Sequence, residues 1–272
     1  MEKLTAILRK KFAVMGIVNI TPDSFYDGGR YFSEEMAVSH ALALIDKGAD
    51  VLDIGGASSR PGASLVAIED EIRRVVPVID AVRKETEIPI SVDTTWSSVA
   101  QAALDAGADW INDISAGYID STIIDVVAQR DAVIILMHSR GTPQTMQVDP
   151  HYENVITEVV ADLKCAVKRC TDAGIDKNKI IIDPGIGFGK TFEHNCALLK
   201  NVRSFCELGF PVLLGTSRKS FIGTITGKRV DERMAGSLGS IASAYVNGVK
   251  LFRVHDVAET VDFLKVLSEV AG

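Results

Sequence analysis

The stretch Ile180-Ile181-Ile182-Asp183-Pro184-Gly185 shows the pattern that decides the fold, a short apolar run that ends in a polar residue and a glycine turn. Seven similar runs occur elsewhere in the 272 residues, and most of them also end in a glycine or a polar residue. They are rich in Val and Ile and mostly apolar rather than alternating, which is typical of parallel strands buried on both faces. The eight runs cover residues 14–20, 51–54, 88–92, 110–111, 132–137, 180–182, 211–214 and 251–254.

Segments with helical periodicity separate these runs. Ser33, followed by Glu34 and Glu35, is typical of an N-cap with an acidic first turn and predicts a helix that ends near Gly48. Further helices are predicted over residues 66–84, 96–106, 121–129, 152–173, 194–205, 232–247 and 258–270, with Pro77 as a bend in the first of them. Eight alternations favour a single (β/α)8 TIM-barrel domain over residues 1–272, with its ligand site at the C-terminal ends of the strands.

Composition and charge exclude several classes of protein. The chain is 47% hydrophobic and 24% charged, as is usual for a globular protein. Its net charge of -7 argues against nucleic-acid binding, and no apolar stretch reaches the length of a membrane span. The four cysteines contain no Cys-x-x-Cys pair, so we interpret them as reduced packing residues. We therefore expect a soluble, cytoplasmic protein with neither a nucleic-acid nor a membrane partner.

Polar residues at the ends of three predicted strands indicate a binding site. Asp93, Asn112 and Asp183 end the third, fourth and sixth strands, so in a closed barrel their side chains can converge on the axis. Carboxylates accept pairs of N–H donors and a carboxamide offers one donor and one acceptor, a combination that suits a flat nitrogen heterocycle. Each residue taken singly could instead make a structural hydrogen bond; the three together favour a ligand.

A second group of residues is cationic. Arg60 follows the second run, Arg218 and Lys219 follow the seventh, and Arg253 and His255 close the eighth. The loops after the last two strands of such barrels frequently bind phosphate, so this group predicts an anionic small substrate. For Arg60 alone, a salt-bridged rim is the alternative.

The glycine-rich segment 185–191 is not a nucleotide loop. Pro184 stands where the P-loop spacing requires glycine, and Lys190 stands where the dinucleotide-binding spacing requires it. We interpret its glycines as allowing the backbone to approach a flat ligand beside Asp183 and Phe188.

The motifs resemble, in order, those of the dihydropteroate synthase family. The opening segment Asn19-Ile20-Thr21-Pro22-Asp23-Ser24-Phe25, with Asp27-Gly28-Gly29 behind it, resembles the first signature. The other motifs are at residues 58–62, 112–113, 136–138, 183–190, 217–220 and 253–256. The match spans nearly the whole chain, and long motifs in a fixed order are highly specific.

This resemblance implies an enzyme of folate biosynthesis, a transferase that is a sulfonamide target. It would condense 6-hydroxymethyl-7,8-dihydropterin pyrophosphate with para-aminobenzoate to give 7,8-dihydropteroate and pyrophosphate. The implied pterin-binding residues are Asp93, Asn112, Ile114, Met137, Asp183, Phe188, Gly215, Lys219 and Arg253. Those for pyrophosphate are Asn19, Arg60, Arg253 and His255, and those for para-aminobenzoate are Ser59, Pro61, Phe188, Lys219 and Ser220.

The resemblance also implies catalytic residues and partners. Asp27, Lys219, Arg253 and His255 are the implied catalytic residues, and Asn19 is the implied protein ligand of a Mg2+ ion. A homodimer is expected. Loops 21–30 and 57–64 are expected to act as lids that exclude water.

Some positions depart from the usual family pattern. Ala57 and Ser59 stand where Glu and Thr are common, and Ser139-Arg140 stands where Met-Gln is common. The lost methyl at Ser59 is worth roughly 1 kcal/mol of apolar contact at most, so sulfonamide affinity is expected to differ from that of typical members. Two alternatives remain from sequence: a pterin-binding methyltransferase domain that acts with a corrinoid protein, and a non-catalytic pterin-binding relative.

Overall fold

The structure, a computed structural model, describes residues 2–20, 29–58, 62–63 and 66–271, with only the backbone described for residues 29–33. In this part of the chain there are eight strands, and each of them overlaps one of the eight predicted runs. They are β1 (Ala13–Asn19), β2 (Val51–Gly55), β3 (Ile90–Asp93), β4 (Trp110–Asp113), β5 (Val133–Met137), β6 (Ile180–Asp183), β7 (Leu213–Leu214) and β8 (Leu251–Val254).

All paired strands are parallel, in the order β6-β5-β4-β3-β2-β1-β8-β7. The two ends of this order meet through a parallel bridge between Ile182 and Val212, and the Ile182 amide donates to the Pro211 carbonyl at 2.9 Å. This contact completes the ring of strands. The prediction of a (β/α)8 barrel is confirmed.

Helices surround the ring, eleven of them in the described residues. They are α1 (Glu2–Leu8), α2 (Gly29–Asp46), α3 (Ile68–Glu85), α4 (Ser97–Asp105), α5 (Thr122–Gln129), α6 (Val155–Asp172), α7 (Phe192–Lys200), α8 (Arg203–Cys206), α9 (Ser220–Thr226), α10 (Met234–Val246) and α11 (Val257–Val270). No helix in the described ranges is both long and apolar enough to cross a bilayer. None of the four cysteines forms a disulfide.

Two helix predictions were wrong. Helix α2 begins at Gly29, so Ser33 lies inside the helix and is not its N-cap. The helix predicted over residues 194–205 is divided into α7 and α8, and α7 begins earlier because Thr191 caps it. The Thr191 hydroxyl accepts from the His194 amide, and the His194 ring accepts from the Thr191 amide, both at 3.2 Å. Helices α1 and α9 were not predicted.

Alternation along the strands separates two apolar layers. Val14, Leu52 and Ile182 belong to the large cluster between the strands and the surrounding helices. Side chains such as Met15, Trp110 and Ile181 form a second cluster inside the ring, and Leu4 and Ile7 of α1 pack against it. Helix α1 therefore closes the end of the barrel opposite the strands' carboxyl ends.

Replacement of Leu4 by Ala tests this closure. Leu4 is 2% exposed, so we expect the free energy of unfolding to fall by about 2–5 kcal/mol. Chemical denaturation measures the change, with Leu8→Ala as the matched control, because Leu8 is only partly buried against the same cluster. Equal effects of the two substitutions would contradict the closure by Leu4.

Candidate active site

Strand register brings several of the predicted site residues to one end of the barrel. Asn19 is paired with Gly55, Gly55 with Asp93, and Asp93 with Asn112, which places these residues at one level across four adjacent strands. On the far side of the ring, Met137 is paired with Asp183. Asp93, Asn112 and Asp183 are all buried.

Arg253 connects the acidic and cationic groups, which the sequence predicts as separate sites. Its Nε donates to Asp53 Oδ2 at 2.6 Å and its Nη2 donates to Asp93 Oδ2 at 2.8 Å. The carboxamide of Asn112 donates to the same Asp53 oxygen at 3.1 Å. One cation thus holds two carboxylates inside the barrel.

Asp53 is a site residue that the sequence did not predict. It lies within β2, is 0% exposed, and its Oδ1 has no hydrogen-bond partner among the described residues. The signal available in the sequence was a charged residue inside the otherwise apolar run 51–54. Because alternate residues of a strand face the same side, Asp53 shares the inner face with Val51 and Gly55.

The site carboxyls hold protons unusually well. Burial raises the pKa of Asp93 to about 7, an effect opposed by Arg253 and enhanced by Asp53 and Glu71. Burial also raises the pKa of Asp183 to about 6, against the hydrogen bond from the Gly185 amide at 2.7 Å and the charge of Lys219. Ligands with N–H donors stabilise the ionised forms of these carboxyls.

Lys219 lies between the acidic pocket and an apolar wall. Burial and then Arg253 lower the pKa of Lys219 to about 8, whereas Asp183 and Asp93 raise it. Its Nζ lies 4.0 Å from the centroid of the Phe188 ring. Phe188 packs with Met137, Met146 and Ile114. Met146, in the loop after β5, was not predicted because nothing in its local sequence indicates that this loop folds back.

His255 and Arg218, two residues of the predicted cationic group, have different partners. Burial, Arg253 and Arg218 lower the pKa of His255 to about 4, so its ring is neutral at pH 7. His255 Nδ1 lies 3.0 Å from the Ser217 hydroxyl, and a proton donated from that hydroxyl leaves Nε2–H as a donor for an anion. Arg218 instead forms an ion pair with Asp256 and connects the seventh and eighth loops.

Two glycines of the segment 185–191 face a neighbouring loop. Gly185 and Gly189 have positive φ, and a Cβ on either would overlap the carbonyl of His138 or of Arg140. At these two positions, close approach is therefore to the neighbouring loop rather than to a ligand. At Gly187 a Cβ would meet the Lys219 side chain. His138, which follows β5, is buried beneath this contact.

Several predicted residues lie outside the described residues. They are Asp27, Ser59, Arg60 and Pro61, together with residues 21–28 of the first loop expected to be a lid and half of the second. Of the first loop, Gly29 and Arg30 already belong to α2. Ser220 begins α9 and is exposed, and Gly215 follows β7, where a Cβ would lie 4.0 Å from Arg253 Cβ.

Asn19 offers an oxygen ligand for a cation. A Cβ on Gly55 would lie 3.7 Å from Asn19 Oδ1 and 3.5 Å from Asp93 Cβ, which places the Asn19 carboxamide beside the acidic pocket. Within the described ranges, no three His, Cys, Asp or Glu side chains are grouped to hold a metal. A single carbonyl oxygen fits Mg2+, which commonly keeps water and substrate phosphates as its other ligands.

Comparison with known proteins shows what this chain is similar to. A family model described as pterin binding enzyme matches residues 15–255. Dihydropteroate synthase from Haemophilus influenzae is 44% identical over 95% of this chain and 94% of its own.

Solved structures give the same result. Xanthomonas albilineans dihydropteroate synthase with 4-aminobenzoic acid superposes with a TM-score of 0.90 at 47% identity, over 95% of this chain and 92% of that one. Yersinia pestis dihydropteroate synthase in a sulfonamide drug complex gives 0.89 at 38% identity, over 94% and 93%.

Replacement of Asp183 by Asn tests the electrostatics of the pocket. A carboxyl whose pKa is raised from 3.8 to about 6 on folding stabilises the protein below pH 4, and this contribution is lost as the pH rises through 6. The unfolding free energy of Asp183→Asn minus that of the wild type should therefore increase between pH 4 and pH 7, by at most about 3 kcal/mol. Denaturant titrations across this range measure the difference, and a flat difference would contradict the raised pKa.

Proposed function

Because this chain belongs to the dihydropteroate synthase family of pterin-binding enzymes, we propose that the mouth of its barrel joins 6-hydroxymethyl-7,8-dihydropterin pyrophosphate to para-aminobenzoate. The products are 7,8-dihydropteroate and pyrophosphate. The observation that carries the proposal is the meeting of Asp93, Asn112, Asp53 and Arg253 in one hydrogen-bonded group. A methyltransferase domain or a non-catalytic relative is not favoured by the comparisons.

The acidic pocket binds the pterin in this proposal. Asp183 and Asp93 accept from N–H donors of the ring, and Asn112 supplies both a donor and an acceptor. Asp53 occupies one N–H of the Asn112 carboxamide and so fixes its orientation. The flat faces of the ring contact the apolar wall of Ile114, Met137 and Phe188 and the open position at Gly215, with Lys219 at the edge and Arg253 against a face.

The pyrophosphate binds at the ends of β1 and β8. Arg253 and the Nε2–H of His255 donate to its oxygens, with Arg60 as a further cation from the second loop. Arg253 keeps its charge there because Asp53 and Asp93 raise its pKa against the effect of burial. A bound Mg2+ ion, held by Asn19 and the phosphates, would neutralise part of the negative charge of the leaving group.

Para-aminobenzoate binds beside Phe188 and Lys219, with Ser220, Ser59 and Pro61 as the remaining contacts. The bond from the pterin methylene to the pyrophosphate oxygen breaks first, and Arg253 and His255 stabilise the departing anion. The neutral amine then attacks the methylene carbon and loses a proton. After the pyrophosphate leaves and before the amine attacks, Asp27 stabilises the positive charge that is spread over the pterin. Because the amine is neutral and already nucleophilic, no strong base is needed to activate it.

A homodimer and a cytoplasmic location complete the proposal. Support for the dimer comes from exposed apolar side chains along α9, α10 and the 3-10 helix Val230–Glu232 between them. They are Ile225, Val230, Met234 and Val246.

A pyrophosphate-release assay tests the activity. With the pterin pyrophosphate ester and Mg2+ present, release should depend on para-aminobenzoate, and a sulfonamide should compete with para-aminobenzoate. The Asp183→Asn variant should lose most of the turnover because an ionised acceptor is replaced by a neutral amide. An absence of release from the folded wild-type protein would reject the proposed reaction.

Replacement of His255 by Ala separates anion binding from pterin binding. Loss of a hydrogen bond to a charged group costs about 1.5–3 kcal/mol, so the affinity for the pyrophosphate ester should fall at least about tenfold. The affinity for the pterin alcohol should stay unchanged, because the ring of His255 contacts Ser217 and not the acidic group. Calorimetry with both ligands measures this, and equal losses would show that His255 does not meet the anion.

A further inference from the structure

Lys190 is a buried lysine that no step of the proposed reaction uses. It is 2% exposed, and its Nζ has three hydrogen-bond acceptors. They are the Phe188 carbonyl at 2.9 Å, His138 Nδ1 at 3.0 Å and the His138 carbonyl at 3.3 Å. Burial lowers the pKa of Lys190 to about 7. In its charged form the group has three protons for these three acceptors, so none remains for a substrate.

His138 links Lys190 to helix α6. Because its Nδ1 accepts from Lys190, its ring proton lies on Nε2, which donates to Asp162 Oδ2 at 3.1 Å. Burial and then the charge of Lys190 lower the pKa of His138 to about 3, so the ring is neutral and suited to accept. The buried lysine is therefore anchored, through one imidazole, to a helix outside the barrel.

The outer end of this network is fixed by Arg140. Its guanidinium donates to Asp162 at 3.2 Å and to Glu158 at 2.9 Å, and lies 4.2 Å from the ring centroid of Tyr152. The Tyr152 hydroxyl donates to the Gly189 carbonyl at 2.9 Å. The carbonyl oxygens of residues 188 and 189 thus each accept a hydrogen bond from a different side chain, Lys190 and Tyr152.

Glycine makes this attachment possible. The positive-φ residues Gly185 and Gly189 let the turn 185–190 lie directly on the backbone of His138 and Arg140. The turn begins two residues after Asp183, whose carboxylate accepts from the Gly185 amide. It also carries Phe188, whose ring lies 4.0 Å from Lys219 Nζ. Any shift of the turn therefore moves the wall between the two substrates.

We propose that Lys190 is a positioning residue for the reaction, because its hold on the Phe188 carbonyl fixes the Phe188 ring against Lys219 and so shapes the para-aminobenzoate site. The inference rests on the proposed function, which assigns Phe188 and Lys219 to that substrate as well as to one side of the pterin. Lys190 acts through Phe188 and touches neither substrate. Its removal should therefore affect the second substrate more than the pterin, which is held chiefly by Asp93, Asn112 and Asp183.

The variant Lys190→Met keeps most of the side-chain volume and removes the ammonium. We expect the KM for para-aminobenzoate to rise about tenfold, with a change of less than about threefold in the KM for the pterin ester. The matched control is Lys179→Met. Lys179 is also buried and donates to the Asp131 carbonyl at 2.6 Å. It immediately precedes β6, at the end of that strand opposite Asp183. The control should leave both KM values unchanged.

A double-mutant cycle with Phe188→Ala tests the route of the effect. If Lys190 acts through Phe188, the double variant should bind para-aminobenzoate no worse than Phe188→Ala alone. Additive losses, unchanged KM values in Lys190→Met, or the same losses in Lys179→Met would each overturn the proposal. An inactive wild-type protein would instead refute the proposed function.

A second variant serves if Lys190→Met does not fold. Asp162→Ala removes the outer anchor of His138 at a partly exposed position and leaves the buried lysine in place. We expect it to raise the KM for para-aminobenzoate about threefold with the pterin KM unchanged. An unchanged KM for para-aminobenzoate in this folded variant would overturn the proposal.

Discussion

The buried ion pairs of Arg253 with Asp53 and Asp93 determine what else the barrel mouth can contain. A buried charge is tolerated only when it is paired, and here one guanidinium pairs with two carboxylates from different strands, while Asp53 Oδ1 keeps no partner among the described residues. With Asp183 and Lys219 included, the site has three acids and two bases. Burial raises the pKa values of Asp93 and Asp183 to about 7 and about 6, and for Asp93 the neighbouring Asp53 and Glu71 add to the effect. Arg253 thus contributes to the acidic pocket that we propose for the pterin before any phosphate is present.

The rest of the site depends on how the strand ends are supported. The inner faces of β2, β3, β4 and β8 supply the charged group, whereas the apolar wall comes from β5 and the loops after β4, β5 and β6. The positions of these loops depend on hydrogen bonds of polar side chains as well as on their apolar residues. The interlock of residues 138–140 with 185–190 provides such contacts and connects the wall to α6. Rigidity at this side of the pocket is consistent with a ligand that is flat and inflexible.

Strand positions could be predicted from sequence because continuous Val and Ile runs are a strong local signal. Asp93, Asn112 and Asp183 were found because each ends such a run. Asp53 was missed because its importance depends on the pairing of both β2 and β8 with β1, which brings Arg253 to Asp53 and cannot be read from a local pattern. Met146 and the partners of Lys190 were missed for the same reason, since they depend on how a loop folds back. The start of α2 was predicted wrongly because Ser33, followed by two acidic residues, is typical of an N-cap. The helix begins earlier, at Gly29, and Ser33 lies within it. The N-cap of α7 at Thr191 likewise precedes the residue at which the periodic pattern was taken to start.

The protonated carboxyls at the strand ends have a thermodynamic consequence for ligand recognition. A ring that donates N–H groups to Asp183 or Asp93 favours the ionised acid, so the proton held there passes to the buffer when the complex forms. The heat of association then includes the ionisation enthalpy of whichever buffer receives that proton. Enthalpies measured in Tris and in phosphate at the same pH will differ, and the slope of enthalpy against buffer ionisation heat counts the protons expelled.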